Sequence, residues 1–291
     1  MKITIENKKY PQILRKIPNP PKQLYTKGNI ELLNTPSIAI VGSRSCTQYG
    51  EKMAKQFAQE LSTYGLTIVS GMAVGIDYFA HMGAIEKNGN TIAVLPSGLA
   101  NIYPKENIEL YEKILKNDGL IITEYEDNIE ADSNKFLQRN RIVSGLALGT
   151  LVIEGGKRSG TSVTARLTKE QEKNVFCIPS SLENPKGITP NNLIKEGAIL
   201  VTGVEDILEK YKELNLKKQS AKIKRNNNYS NDIKEEYKVI YNLIPGEGKI
   251  HINDIIKKAR IGIQDVSYKL MMLELEEKIE ALPGQNYKRK L

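Results

Sequence analysis

Short apolar runs rich in β-branched residues alternate with amphipathic helical stretches from residue 37 to residue 211 of this chain. Nearly continuous apolar runs are typical of strands buried on both faces of a sheet, and their alternation with helices indicates right-handed βαβ crossovers. The pattern therefore predicts an α/β domain built on a doubly wound, mostly parallel Rossmann-like sheet. The predicted strands are residues 37–41, 67–70, 91–95, 120–123, 150–153, 175–178 and 199–201, and the predicted helices include 48–64, 76–87, 105–116, 162–173 and 204–211.

Changes in composition divide the remainder of the chain. Residues 1–36 are proline-rich and are predicted to lie as an N-terminal arm on the main domain, residues 37–211. Residues 212–231 are rich in lysine and asparagine, a composition that favours a solvated linker.

Residues 232–291 regain helical periodicity and end in two short runs around a Pro283-Gly284 turn. Three helices followed by a basic hairpin predict a small winged helix-turn-helix domain. The third helix opens near Gln264, where a recognition helix would lie. The predicted apolar faces of the three helices are Val239, Ile240, Leu243 and Ile244, then Ile252, Ile255 and Ile256, then Val266, Leu270, Leu273 and Leu275.

Basic residues recur in the segments that follow the predicted strands. Because the carboxyl ends of parallel strands meet at one edge of a sheet, where ligands of this architecture bind, these side chains should meet in one crevice. A net charge of +8 also favours an anionic partner, and a basic crevice suits an extended polyanion. One of the two arginines at 139 and 141 could instead brace the sheet through a buried ion pair. The basic residues are Arg44, Lys105, Arg139, Arg141, Lys157 and Arg158.

Two glycine-containing segments open predicted helices. In residues 70–77, Gly71 and Gly75 would allow a phosphate to approach the backbone, although Asp77 could equally cap the helix or pack inside. In residues 155–162, Ser159, Gly160 and Thr161 accompany two cations and predict an anion-binding nest.

The same segments argue against several enzyme classes. The spacing at 70–77 is not GxGxxG, and no acidic residue ends the second strand to bind a ribose, so a nicotinamide cofactor is disfavoured. Gly160 is followed by Thr161 where a nucleotide-binding phosphate loop requires lysine. His81 and His251 lack a nucleophile or carboxylate partner at a recognisable spacing. We therefore predict a binding protein with no catalytic residue, metal or cofactor.

Several strings together resemble the DNA-processing protein A family (DprA, also called Smf). Each string is weak alone, but their order and spacing are specific, and the resemblance covers roughly residues 9–211. The chain departs from the family at Pro179-Ser180-Ser181, where Pro-Gly-Ser is usual, and at Glu154-Gly155, where Glu-Ala is usual. The matching strings are residues 41–44 (VGSR), 70–77 (SGMAVGID), 103–107 (YPKEN), 139–146 (RNRIVSGL), 159–165 (SGTSVTA) and 192–198 (NLIKEGA).

The resemblance implies an extended Rossmann fold, sequence-independent binding of single-stranded DNA, a homodimer, and loading of the RecA recombinase during natural transformation. It places the principal DNA-binding cations at Arg44 and Lys105, and the apolar dimer contacts at Ile194 and Leu200. The winged helix would meet duplex DNA or a protein. The full set of residues predicted to contact DNA is Ser43, Arg44, Gly71, Gly75, Lys105, Asn107, Arg139, Arg141, Lys157, Arg158, Ser159, Gly160 and Thr161.

Two other functions fit parts of the pattern. One is a nucleotide-processing hydrolase on the related lysine-decarboxylase-like Rossmann fold, although Thr164 stands where those proteins carry a glutamate in PGGxGTxxE. The other is a regulator that reads duplex DNA through the winged helix. The N-terminus has no apolar stretch like a signal peptide, and no segment reaches the ~18 apolar residues of a membrane span, so a cytoplasmic location without membrane contact is expected.

Overall fold

The computed structural model describes residues 1–157, 159–218, 235–245, 248–259, 261–276 and 278–290. Arg158, one of the predicted DNA contacts, and most of the predicted linker lie outside these residues. The chain forms two compact units, Met1–Lys222 and Ile223–Leu291.

The first unit is built on a nine-stranded sheet with the order β1-β2-β6-β5-β4-β3-β7-β8-β9. Strands β3 to β9 run parallel, whereas β1 and β2 are antiparallel additions at one edge. The predicted α/β, mostly parallel architecture is confirmed. The strands are β1 (Lys2–Thr4), β2 (Gln23–Gly28), β3 (Ser37–Val41), β4 (Thr67–Ser70), β5 (Thr91–Val94), β6 (Leu120–Thr123), β7 (Gly149–Val152), β8 (Asn174–Cys177) and β9 (Ile199–Leu200).

Helices cover both faces of this sheet. Successive residues of β3 point to opposite faces, so Ile38 and Ile40 belong to one apolar core and Ala39 and Val41 to the other. The helices are α1 (Gln12–Arg15), α2 (Gln48–Thr63), α3 (Ile76–Glu86), α4 (Ile108–Lys116), α5 (Ser133–Leu146), α6 (Gly160–Glu170), α7 (Ile188–Lys195) and α8 (Glu205–Leu208), with 3-10 helices at Ile30–Asn34, Lys105–Asn107 and Glu209–Leu214.

The N-terminal segment is part of the sheet. Strand β2 pairs with β6, with Tyr25 opposite Thr123, and β1 pairs with β2. Tyr10, between these strands, is fully buried and donates a hydrogen bond of 2.7 Å to the carbonyl of Pro21. The predicted arm therefore supplies the edge strand β1 and its neighbour β2, which its proline-rich composition did not indicate.

The winding of the chain reverses between β3 and β7. From β3 the chain proceeds through β4 and β5 to β6 on one side, and then returns to β7 and continues to β9 on the other. The crossovers diverge at this point and leave a crevice above the carboxyl ends of the two strands, where α/β proteins bind ligands.

The described residues of the second unit form three helices and a small antiparallel sheet with the order β10-β12-β11. Ile240, Ile255 and Leu270, one from each helix, lie in its apolar core. Two residues of the predicted apolar faces lie outside this core, because Val239 is 52% exposed and Leu275 is 70% exposed. The elements are α9 (Glu235–Leu243), β10 (Ile250–His251), α10 (Ile252–Ala259), α11 (Ile263–Leu275), β11 (Ile279–Leu282) and β12 (Asn286–Arg289).

Within the described ranges, none of the helices combines the length and apolar character that crossing a bilayer would require.

Candidate nucleic-acid interface

A crevice of about 480 Å³ lies at the point where the winding reverses. Its walls come from the loops after β3, β4, β7 and β8 and from helices α5 and α6. Many of the residues predicted to contact DNA meet here, although Gly75, Lys105, Asn107 and Arg141 do not line the crevice itself. The predicted residues that line it are Ser43, Arg44, Gly71, Arg139, Lys157, Ser159, Gly160 and Thr161.

The loop that carries Arg44 is fixed on both sides. On one side the carbonyl of Ser43 accepts a hydrogen bond of 3.1 Å from the backbone N–H of Ile76. Gly75 allows this approach because its φ is +80° and an added Cβ would lie 2.3 Å from the same carbonyl. On the other side the fully buried carboxylate of Glu154 accepts hydrogen bonds from the backbone N–H (2.9 Å) and hydroxyl (2.6 Å) of Thr47. The loop therefore holds Arg44 in a defined position.

Arg44 begins a row of cationic and aromatic side chains. Its guanidinium carbon lies 4.7 Å from the ring centroid of Phe136, which in turn contacts the ring of Tyr103 edge-on at 5.3 Å. Tyr103 is 42% exposed, and Lys105, also exposed, follows after Pro104. Arg44 forms no ion pair with any residue in the described ranges. Its charge is available to a ligand, and the rings connect it spatially to the Lys105 segment.

The opposite wall contains the N-terminus of α6. No side chain caps this helix at Ser159, so its first backbone N–H groups face the crevice and can bind an anion. Thr189 holds the preceding loop by donating from its backbone N–H to the carbonyl of Gly155 (2.9 Å) and from its hydroxyl to that of Gly156 (2.8 Å). The predicted anion-binding character of residues 155–162 is consistent with this geometry.

Lys186 is a crevice residue absent from the sequence prediction. It follows β8, lines the crevice, and donates from Nζ to the hydroxyl of Ser45 at 2.7 Å. It thus bridges the loops after β8 and β3. The rule that identified Arg44, a basic residue in the segment after a strand, applies equally to Lys186.

Arg139 has internal partners. Its side chain is 4% exposed and donates to the carbonyls of Gly71 and Val94, at the ends of β4 and β5. Gly71 leaves room for it, since an added Cβ would lie 2.4 Å from the guanidinium nitrogen Nη1. Burial lowers the pKa of Arg139 to about 10, an effect that the nearby Asp77 opposes. Arg139 thus connects two strand ends.

The carboxylate of Asp77 accepts hydrogen bonds from backbone N–H groups of the 70–77 segment. Its Oδ2 accepts hydrogen bonds from the N–H groups of Gly71 (3.1 Å) and Ala73 (3.4 Å). Burial raises the pKa of Asp77, and the charge of Arg139 acts in the opposite direction. The packing role considered for Asp77 is the one observed, and these amides contact the chain's own carboxylate.

Arg141 and Asn107 also have internal partners. Arg141 forms an ion pair of 2.5 Å with Glu124, and the two side chains are 14% and 15% exposed. The buried amide of Asn107 donates a hydrogen bond of 2.8 Å to the carbonyl of Met72. The sequence suggested bracing for one of the two arginines of α5, and both in fact have such partners.

The predicted dimer residues lie at the far edge of the sheet. Ile194, on α7, is half-buried against the core, whereas Leu200, on the edge strand β9, is 46% exposed. Both positions lie outside the set of residues that line the crevice.

An open parallel sheet with a ligand crevice at its winding reversal places this chain among the Rossmann-like α/β proteins. Comparison with known proteins is more specific. The family model for DNA recombination-mediator protein A matches residues 1–212, and the chain belongs to this family, as its sequence strings predicted.

Curated relatives and solved structures agree with this assignment. The chain is 36% identical to protein Smf of Escherichia coli, over 97% of this chain and 75% of that protein, and 38% identical to DNA processing protein DprA of Bacillus subtilis, over 74% and 72%. The X-ray structure of DprA from Streptococcus pneumoniae matches with a TM-score of 0.69 and 39% identity, covering 72% of this chain and 74% of that one. DprA from Helicobacter pylori, whose structure concerns its single-stranded DNA binding mode, matches with a TM-score of 0.65 and 32% identity, over 73% and 96%. The chain is a DNA-processing protein of this family.

Proposed function

We propose that this protein binds single-stranded DNA without sequence preference in the crevice and acts as a recombination mediator that loads RecA during natural transformation. The observation that carries the proposal is the exposed guanidinium of Arg44, which forms no ion pair with a described residue and lies at the crevice beside Phe136 and Tyr103. The single-stranded DNA binding mode described for the Helicobacter pylori relative supports it.

The chemistry of the crevice fits a single strand. Arg44, Lys157 and Lys186 offer positive charge to phosphates, and the uncapped N-terminus of α6 adds backbone donors. Exposed aromatic rings bind the faces of unpaired bases, which a duplex conceals between neighbouring base pairs. Phosphates and base faces occur in every nucleotide, so such contacts carry little sequence information.

The buried carboxylates near the crevice support a binding role rather than an enzymatic one. Asp77 and Glu154 both accept hydrogen bonds from backbone N–H groups and hold loops in place. Both oxygens of Glu154 and Oδ2 of Asp77 are engaged in such internal hydrogen bonds, whereas a general acid or base must exchange protons with a ligand.

The salt dependence of binding tests the assignment of the crevice. Anisotropy titrations with a labelled poly-deoxythymidine strand at several salt concentrations should show that Arg44→Ala/Lys105→Ala loses most of the affinity. The log–log salt slope should flatten by roughly 1.4, about 0.7 for each lost phosphate contact. Arg166→Ala/Lys113→Ala removes the same charge from the exposed surfaces of α6 and α4 and serves as the control. An unchanged slope in the Arg44/Lys105 variant would dismiss the assignment, and a matching duplex that binds as tightly would dismiss the preference for single strands.

We also propose a homodimer formed through the edge of the sheet around Ile194 and Leu200. A half-buried and an exposed apolar side chain beside the short edge strand β9 support this contact. In a twofold interface each residue occurs twice, so Ile194→Glu would bury two carboxylates and should yield monomers in analytical ultracentrifugation. Lys195→Gln, at the neighbouring exposed position, lowers the net charge by one, as Ile194→Glu does, and controls for the change in charge. Dimers that persist in Ile194→Glu would reject the interface.

Residues 232–291, within the second unit, are proposed to form a winged-helix domain that follows the linker at 212–231. Three helices with a three-stranded antiparallel sheet, in the order helix, strand, two helices and a hairpin, support this proposal.

A further inference from the structure

The second unit contains a basic pocket distinct from the crevice. It has a volume of about 410 Å³ and is lined by residues of β10, α10 and the start of β12. We propose that this pocket binds a phosphate group of a nucleic-acid backbone. The inference goes beyond the function proposed for the crevice and does not depend on it.

Three basic or imidazole side chains line this pocket. His251 is the last residue of β10, and Lys258 lies in the last turn of α10. Lys249 approaches from the segment immediately before β10. Both lysines are exposed, and neither forms an ion pair with a residue of the described ranges. Their ammonium groups are available to a ligand.

The hydrogen bonding of His251 leaves a donor for the ligand. Its Nδ1 accepts a hydrogen bond of 3.2 Å from the backbone N–H of Asn253, in the first turn of α10. A neutral ring that accepts at Nδ1 carries its proton on Nε2. The pocket also includes the carboxylate of Asp254, so two cations face one anion and the balance is positive.

The third helix of the unit has a different surface. Tyr268, Met271 and Leu275 on α11 are between 51% and 70% exposed. Asp265 and Glu274, also exposed on this helix, add negative charge. Helices that read base edges in the major groove usually present arginine, lysine, asparagine or glutamine. Gln264 and the half-buried Lys269 also lie on α11, but its exposed residues are mostly apolar or acidic, so we place the phosphate contact of this unit at the pocket.

The openness of the pocket favours a polymer over a free phosphate ion. Exposed ammonium groups bind a single small anion weakly in water, because solvent and salt screen the attraction. A nucleic-acid backbone gains additional affinity by releasing its condensed counterions when lysines replace them. Contact with the backbone alone also implies binding without sequence preference.

A short blunt duplex tests the pocket in the full-length chain. Both Arg44→Ala/Lys105→Ala and the chain with an intact crevice should bind the duplex in low salt. Adding Lys249→Gln/Lys258→Gln should lower the affinity roughly tenfold and flatten the log–log salt slope by roughly 1.8, about 0.9 per phosphate contact. Lys257→Gln/Lys269→Gln removes the same charge from the same unit without touching the pocket, and should have a smaller effect. Tyr268→Ala/Met271→Ala on α11 should leave the affinity unchanged.

Three results would overturn the proposal. The first is an equal loss of duplex affinity in Lys249→Gln/Lys258→Gln and Lys257→Gln/Lys269→Gln. The second is a loss of duplex affinity in Tyr268→Ala/Met271→Ala that exceeds the loss in Lys249→Gln/Lys258→Gln. The third is displacement of the duplex by inorganic phosphate at matched ionic strength, which would identify a free anion as the ligand. A failure of the crevice proposal would be recognised separately, because that proposal is tested with single-stranded DNA and the variant Arg44→Ala/Lys105→Ala. Lys249→Gln/Lys258→Gln should bind that single strand at least half as tightly as the unchanged chain does.

Discussion

The outer wall of the crevice and its floor each carry an arginine, and their guanidinium groups have different surroundings. At the outer wall, the guanidinium of Arg44 is exposed and lies over the ring of Phe136, which contacts Tyr103. In the floor, formed by Arg139, Asp77 and Gly71, the guanidinium is 4% exposed and donates to two backbone carbonyls. Both arginines line the same crevice. The wall therefore retains binding capacity, whereas the floor uses its charge for stability.

The difference shows that location in a binding crevice does not by itself identify a binding residue. A guanidinium has five N–H donors, and those already bonded to carbonyls are not available to a phosphate without breaking internal bonds. The ring beneath Arg44 attracts the cation but leaves its donors free. Substitutions in the floor should consequently change stability, and substitutions in the wall should change affinity.

Arg139→Met should produce the largest change in stability. The substitution removes the guanidinium that donates to the carbonyls of Gly71 and Val94, and with it the positive charge beside Asp77. Loss of one partner from a buried charged network typically costs about 3–5 kcal/mol. Arg44→Met, the same substitution in the wall, should change the free energy of unfolding by less than about 1 kcal/mol, because surface substitutions usually do. Urea denaturation followed by circular dichroism measures both.

The two methionine variants also test whether the wall and floor arginines really differ in role. If Arg139→Met unfolds at the same urea concentration as the unsubstituted protein, the floor arginine does not stabilise the fold. If it also loses single-strand affinity while folded, Arg139 belongs to the binding surface.

Tyr103→Ala should have a smaller effect, confined to binding. Base–aromatic stacking contributes about 1–3 kcal/mol per base, so this exposed ring should account for up to about a hundredfold in single-strand affinity. Since stacking releases no counterions, the log–log salt slope should stay constant, in contrast to Arg44→Ala/Lys105→Ala. Tyr103→Phe keeps the ring and should bind normally. A flatter slope in Tyr103→Ala would show that the ring acts by positioning the neighbouring cations.

Some elements of the fold could be predicted from the sequence, and others could not. Strands β3, β4 and β6 have the bounds that their β-branched runs predicted, since burial on both faces leaves a strong local signal. Strands β1 and β2, the antiparallel additions at one side of the sheet, were missed because neither forms a continuous apolar run. Val239 and Leu275 fit helical apolar faces but are exposed, because the width of the buried face depends on neighbouring helices.

Within the site, the sequence predicts that several of the basic residues meet, but not which of their donors stay free. The rule of basic residues after strands brings Arg44, Arg139 and Lys157 to one crevice, as topology requires. The partners of Arg139 are backbone carbonyls at the ends of β4 and β5. Every residue has a backbone carbonyl, so the sequence does not indicate which ones accept these hydrogen bonds. Only tertiary structure distinguishes the two arginines.

The smallest predicted effect concerns the acid stability of the region beneath the floor. His81, one turn after Asp77 on α3, is fully buried, and burial, assisted by the charge of Arg139, lowers its pKa to about 3. Thr91 donates its hydroxyl to the carbonyl of Ile68 and so accepts from Nδ1 of His81 at 2.7 Å. Nε2 is buried and has no hydrogen-bond partner among the described residues, so a proton added there would be unsatisfied.

Because the folded-state pKa of His81 lies below the value of about 6.5 expected in the unfolded chain, only the unfolded chain takes up this proton at intermediate pH. The stability that depends on this difference in pKa is complete above pH ~6.5. The free energy of unfolding should fall by up to about 1.4 kcal/mol per pH unit as the pH decreases from there towards the folded-state pKa. His81→Gln can still donate to Thr91 but does not titrate, so its free energy of unfolding should depend less steeply on pH between about 6 and 4 in urea denaturation. His81 does not line the crevice, so the single-strand affinity of the molecules that remain folded should not follow the same curve. An identical pH slope in His81→Gln would assign the acid sensitivity to carboxylates instead of to this buried imidazole.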